Sequence, residues 1–91
     1  MITIYGVPKD VGRCYACNEA VRICEESGID YKFIPVLYKT EDGFDYNRDT
    51  IISLAKKMNK TNLSIIYPQI FDDEKYIGGL LKFKEHRGYD E

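Results

Sequence analysis

The sequence predicts an α/β fold in the order β-α-β-α-β-β-α, with a four-stranded mixed sheet flanked by helices. Three observations predict it. "MITIYG" alternates, with Ile2 and Ile4 on one side and Thr3 and Tyr5 on the other, as a strand does. From Cys14 onward the apolar residues instead recur at helical spacing. Near the C-terminus two short runs, "PQIF" and "KYIG", flank the acidic triplet Asp72-Asp73-Glu74, as the arms of a hairpin do.

"GVPKDVGR" follows the first strand and is loop material, with two glycines and a proline. The first helix presents Cys17, Ala20, Val21 and Cys24 on one face, with Asn18, Glu19, Arg22 and Glu25 elsewhere, and Gly28 ends it. "YKFIPVL" is the second strand, and Pro35 places it at a sheet edge because proline has no N–H to give a neighbour. This β-α-β opening is a parallel unit with a right-handed crossover. "YKTEDGFDYNRDT" reads as a polar loop turning at Asp42-Gly43. Asp49 or Thr50 caps the next helix, whose apolar face is Ile51, Leu54, Ala55 and Met58. "NKTNLS" breaks that helix, the acidic triplet is a turn, and Gly78-Gly79 opens the last helix.

The chain has 91 residues and a formal charge of -2, which suits one domain spanning 1–91. That charge offers no footprint for nucleic acid. No apolar run reaches membrane-spanning length, and the N-terminus lacks the pattern of a signal peptide. The expected setting is a reducing cytoplasm, without a membrane or nucleic-acid partner, and the expected state is a monomer. Three cysteines make an odd set, unlike the dense even set of a small secreted scaffold.

Cys14 and Cys17 can be half of a zinc site, a structural crosslink or a working redox pair. A Cys-x-x-Cys that follows a strand and opens a helix favours redox work. The first N–H groups of a helix lack intrahelical partners and its dipole is positive there, so a Cys14 thiolate is stabilised. Lys9 and Arg13 add favourable charge. Cys17, one turn deeper, is the more buried thiol and can resolve a mixed disulfide formed at Cys14. A zinc site would have to recruit Cys24 and His86, which lack the close second pair that metal knuckles use. Cys24 reads as a small apolar residue on the buried face, and His86 as solvated or near the negative end of the last helix.

Tyr67-Pro68 begins a strand. Taken alone, a trans bond is the simpler assignment, whereas a cis bond would turn the Tyr67 backbone outward to pair with an extended peptide beside Cys14. Gly78-Gly79 is either a tight turn or a place where free N–H groups hold a carboxylate.

Together, Cys14-Tyr15-Ala16-Cys17, Tyr67-Pro68 and Gly78-Gly79, in this order and spacing, resemble glutaredoxins, and the resemblance covers nearly the whole chain. It is similar to the small glutaredoxins of tailed bacteriophages, which share the "PQ-hydrophobic-F" strand and an acidic turn before "IGG". The resemblance implies a thioredoxin fold and a dithiol–disulfide oxidoreductase with no bound cofactor or metal. Glutathione would be the reductant and protein disulfides the substrates, ribonucleotide reductase among them, in a host cytoplasm. It implies that Cys14 is the nucleophile, Cys17 the resolving thiol and Pro68 cis. Tyr67 would offer backbone bonds to the glutathione cysteine. Gly78, Gly79 and Leu80 would shape the γ-glutamyl pocket, and Lys9, Arg13 and Tyr15 would complete the binding set.

The sequence departs from the family at three places. Tyr15-Ala16 stands for Pro-Tyr, Ile66-Tyr67 for Thr-Val, and Leu81-Lys82 for the usual acid. Recognition of glutathione is therefore expected to lean on its carboxylates and on Tyr67. Other expectations are a thioredoxin-like protein fed by thioredoxin reductase, or a module binding zinc or an iron–sulfur cluster through Cys14.

Overall fold

The structure, a computed structural model, describes residues 1–88. Strand β1 (Ile2–Gly6) lies at the centre because both of its faces are apolar enough to be covered. Helix α1 (Tyr15–Glu26) carries the chain over to β2 (Tyr31–Pro35), which pairs with β1 in parallel from Ile2↔Tyr31 to Gly6↔Pro35. Strand β5 (Gln69–Asp72) lies antiparallel on the other side of β1, and β6 (Lys75–Gly78) closes the sheet in the order β2-β1-β5-β6. Helices α2 (Arg48–Lys57) and α3 (Leu80–Arg87) complete the frame. The expected order and the four-stranded mixed sheet are present, and Pro35 sits on an edge strand as its missing donor requires.

Two cores form, one on each face of the sheet. Ile2, Ile4 and Ile70 point to one side and pack with Ala20, Ile23 and Cys24 of α1 and Phe83 of α3. Tyr5 and Phe71 point to the other and pack with Val36 and with Ile51 and Leu54 of α2. Alternation along β1 thus separates two buried sets rather than a buried set and an exposed one. Tyr5 is kept inside by a polar anchor, since its hydroxyl accepts a hydrogen bond from Lys57 Nζ at 3.0 Å. Helix α1 ends at Ser27, where Gly28 takes the left-handed φ of 65° and Ile29 N–H returns to the Cys24 carbonyl at 2.8 Å.

Leu37, expected to end the second strand, and residues 38–46, expected as part of a polar loop, form a separate two-stranded hairpin of β3 (Leu37–Thr40) and β4 (Gly43–Tyr46). Its register runs from Leu37↔Tyr46 to Thr40↔Gly43, so Glu41 and Asp42 form the connection. The charges on this stretch hide the spacing of Phe44 and Tyr46, whose rings meet edge to face at 5.9 Å. The cap of α2 also differs from expectation. Asn47, not Asp49 or Thr50, holds the cap position, and Asp49 lies in the first turn. Asn47 is fixed by tertiary bonds, from its N–H to the Val36 carbonyl at 2.9 Å and from its side-chain amide to the Pro35 carbonyl at 3.2 Å.

Leu54, fully buried beneath the sheet, supports the second core, whereas Ile52 on the same helix is exposed. Leu54→Ala is expected to cost ~2–5 kcal/mol, and Ile52→Ala to stay within about 0.5 kcal/mol, in equilibrium denaturant unfolding.

Candidate redox site

The register of the sheet brings the site together. Gly6 is the last residue of β1, Pro35 is its partner on β2, and Tyr5 pairs with Gln69, the residue after Pro68. The start of α1, the end of β2 and the segment before β5 therefore meet at one end of the strands, beyond Gly6. Chain returning from β1 passes through residues 7–13, where Val11 and Gly12 N–H groups both return to the Pro8 carbonyl, and delivers Cys14 to the cap position of α1.

Cys14 and Cys17 are joined as a disulfide, with Cα atoms 5.2 Å apart. Cys14 is partly exposed and Cys17 fully buried, in the order expected from one turn of helix. The Cys17 N–H donates to Cys14 Sγ at 3.2 Å, so one of the free amides of the first turn is aimed at that sulfur. No acidic residue stands in this first turn to oppose negative charge. Lys9 and Arg13 lie exposed in the preceding loop, and Tyr15 is 76% exposed. The pair can alternate between a disulfide and two thiols, taking up or giving two electrons with two protons.

Gly6 contributes in a way the sequence reading missed. A Cβ at this position would lie 3.0 Å from Cys17 Sγ and 3.2 Å from the Phe33 ring, so the buried sulfur occupies the space a side chain would need. A glycine that ends a strand just ahead of a Cys-x-x-Cys is the signal that was available.

The Tyr67–Pro68 bond is cis. The Pro68 carbonyl lies 3.7 Å from where a Cβ on Gly79 would be, which brings the two-glycine turn against the proline segment. Gly78 ends β6 with φ of 125°, and Gly79 caps α3. Leu80 is partly buried and packs against the first core, while Leu81 is 73% exposed. Lys82 leans over Gly78 and pairs with Glu85 at 3.6 Å, in a shallow recess shared with Lys75, Tyr76 and Ile77. Burial pushes the Tyr67 phenol upward, keeping it neutral. Tyr67 also lines a largely apolar groove of about 540 Å³ with Val36, Leu37, Tyr46, Arg48 and Leu63.

The other candidates fall outside this cluster. Cys24 is fully buried in the first core, and desolvation pushes its thiol up to about 11. His86 is exposed in the last turn of α3, as expected, and there it also meets Asp72 at the end of β5, with Nε2 2.9 Å from Oδ2. That hydrogen bond holds the Asp72 carboxyl below its ordinary value. Among the described residues no three His, Cys, Asp or Glu side chains converge as metal ligands. No helix among them is long and apolar enough to cross a membrane.

A cysteine pair on the first turn of a helix, near a cis-proline segment at one end of the strands of a mixed α/β sheet, defines a thiol–disulfide oxidoreductase. Comparison with known proteins makes this specific. The chain is 38% identical over 93 residues to an uncharacterised 11.8 kDa protein of the Gp55–nrdG intergenic region of Enterobacteria phage T4, covering 98% of this chain and 89% of that one. It is 26% identical over 88 residues to the glutaredoxin of the same phage, covering 94% and 98%. Among solved structures it superposes on glutaredoxin 1 of Francisella tularensis, complexed with cacodylate, with TM-score 0.66 at 20% identity over 96% of this chain and 91% of that one. A buckwheat glutaredoxin–glutathione complex gives TM-score 0.62 at 18% identity over 97% and 70%. No family model matches the sequence. The chain has the thioredoxin fold that these glutaredoxins share, and it is similar to the T4 glutaredoxin over nearly its whole length.

Two outcomes follow from the packing of the sulfurs. Gly6→Ala forces Cys17 Sγ or Phe33 to shift, and is expected to cost ~1–3 kcal/mol and to slow disulfide closure in a thiol redox buffer. In the reduced protein Cys24 is expected to resist iodoacetamide until the chain is denatured. Its raised pKa leaves it a neutral thiol through neutral pH, and burial excludes the reagent. Mass spectrometry of labelled peptides reads this directly.

Proposed function

We propose that the protein is a glutathione-dependent dithiol oxidoreductase that reduces protein disulfides. The observation that carries the proposal is the asymmetry of the pair. Cys14 is accessible at the helix start with an amide aimed at its sulfur, while Cys17 is buried behind it. In the reduced protein the Cys14 thiolate attacks one sulfur of the substrate disulfide. A mixed disulfide forms and one substrate thiolate leaves, taking a proton. Cys17 then attacks Cys14 Sγ, which closes the Cys14–Cys17 bond and releases the second substrate thiol. Two glutathione thiols return the two electrons by the same exchanges in reverse and leave as glutathione disulfide.

The buckwheat relative crystallised with glutathione supports that reductant. Backbone N–H groups at the start of α3 suit one carboxylate of the tripeptide, and Tyr67 suits its cysteine. Lys9, Arg13 and Tyr15 would flank it from the loop and the helix start. Leu81 and Lys82 leave its ammonium without an acid beside the glycines. The T4 relative encoded next to nrdG supports ribonucleotide reductase as the recipient, and the host cytoplasm as the place of action fits this.

Two experiments test the scheme. Disulfide reduction is assayed with glutathione plus its reductase and, separately, with thioredoxin reductase. Turnover with thioredoxin reductase alone would refute glutathione dependence. Cys14→Ser is expected to lose all activity, and Cys17→Ser to accumulate a mixed disulfide at Cys14 after treatment with oxidised glutathione. An adduct on Cys17 in the Cys14→Ser protein, with none in Cys17→Ser, would reverse the roles.

A further inference from the structure

Among the described residues Gln69 is the one buried side chain classed as polar or charged, at 9% exposure. It is held by two short hydrogen bonds of opposite direction. The Tyr76 hydroxyl donates to Gln69 Oε1 at 2.6 Å, and Gln69 Nε2 donates to the Ile66 carbonyl at 2.6 Å. Because Tyr76 uses the oxygen end, the amide nitrogen is directed at Ile66. The chain thus runs from β6 through the first residue of β5 to the segment just before Pro68.

The Ile66–Tyr67 peptide is trans, the cis bond of this segment being the next one. In a trans peptide plane the carbonyl and the N–H point in opposite directions. Holding the Ile66 carbonyl inward on Gln69 therefore turns the Tyr67 N–H away from Gln69. The Ile66 side chain is 84% exposed, so this segment borders solvent. Among the described residues no acceptor meets the Tyr67 N–H. An aligned, unpaired backbone donor suits the carbonyl of an extended chain that brings its disulfide to Cys14.

We propose that Gln69 and Tyr76 are positioning residues for substrate, fixing the direction of the Tyr67 N–H without touching the sulfurs. This rests on the Cys14 scheme above, and it assigns the selection of extended disulfide-bearing peptides to a side-chain pair behind the site. Release of the Ile66 carbonyl would let the plane rotate and blur the donor. Substrate binding would weaken while sulfur exchange itself was spared.

The test uses pre-reduced full-length protein and a short peptide closed by one disulfide, followed in single turnover without glutathione. Gln69→Met keeps the volume but cannot bridge. Its half-saturating peptide concentration is expected to rise about tenfold, the equivalent of ~1.4 kcal/mol, with the limiting rate within about twofold of the parent. Tyr76→Phe, which keeps the ring packed on Phe71, is expected to shift the same constant by a smaller factor. Gln69→Glu provides the conservative check. As a carboxylate it still accepts from Tyr76 but cannot donate to Ile66, whereas as the neutral acid it can do both. Its deficit relative to the parent should be large at about pH 8 and shrink at about pH 5.5, as a buried carboxyl regains its proton, while that of Gln69→Met stays constant. Iodoacetamide should modify Cys14 at the parent rate in all three variants. Unchanged half-saturation in Gln69→Met, or a parallel fall in Cys14 alkylation, would overturn the proposal while leaving the Cys14 scheme intact. A parent protein that does not reduce the peptide would overturn both.

Discussion

The site depends on the pairing of β1 with a strand on each side. Parallel pairing with β2 brings Pro35 level with Gly6, and antiparallel pairing with β5 brings Gln69 level with Tyr5. The start of α1 and the proline segment, more than fifty residues apart in sequence, therefore lie at the same end of the strands. A slip of one residue in either ladder would turn Ile4 or Ile70 away from the first core. The burial that stabilises the fold is thus the same burial that sets the geometry at the sulfurs. Gly6 is the junction, where the absence of a side chain lets the helix bring Cys17 against the strand end.

The two faces of the sheet divide the work. Helices α1 and α3 share one core, so the cysteine-bearing helix and the helix opened by Gly79 are held by common contacts around Ile23 and Phe83. Helix α2 on the opposite face supports Tyr5 and Phe71 from below. The hairpin β3–β4 stands outside the main sheet, tied to it through Asn47 and the carbonyls of Pro35 and Val36. It contributes Leu37 and Tyr46 to the groove that Tyr67 also lines.

The redox end was legible in the sequence because its markers are local. The strand, the loop and the cysteine spacing of "MITIYGVPKDVGRCYAC" are contiguous, and the helix start supplies the chemistry. The order of the main elements was legible for the same reason. What escaped was set by distance. The hairpin was hidden because Lys39, Glu41, Asp42 and Asp45 dilute the aromatic pattern around it. Asn47 was missed as a cap because its bonds go to residues brought close only by the fold. His86 gained Asp72 from another element, and Gln69 acquired its orientation from Tyr76 across the last hairpin. The cis geometry at Pro68 became expected only through resemblance, since the dipeptide itself fits either isomer.

The placement of Cys24 also limits how electrons are counted. The described chain has three sulfurs able to form disulfides, but only Cys14 and Cys17 are joined. Cys24 lies two turns further along the same helix, shielded by Ile2, Ile23 and Phe83 and chemically quiet as a neutral thiol. Each folded molecule therefore exchanges electrons in twos. An accessible third thiol would offer Cys14 a competing partner on every neighbouring molecule, and oxidation would yield crosslinked chains instead of a closed ring. Burial in an apolar core makes an odd number of cysteines behave as an even one.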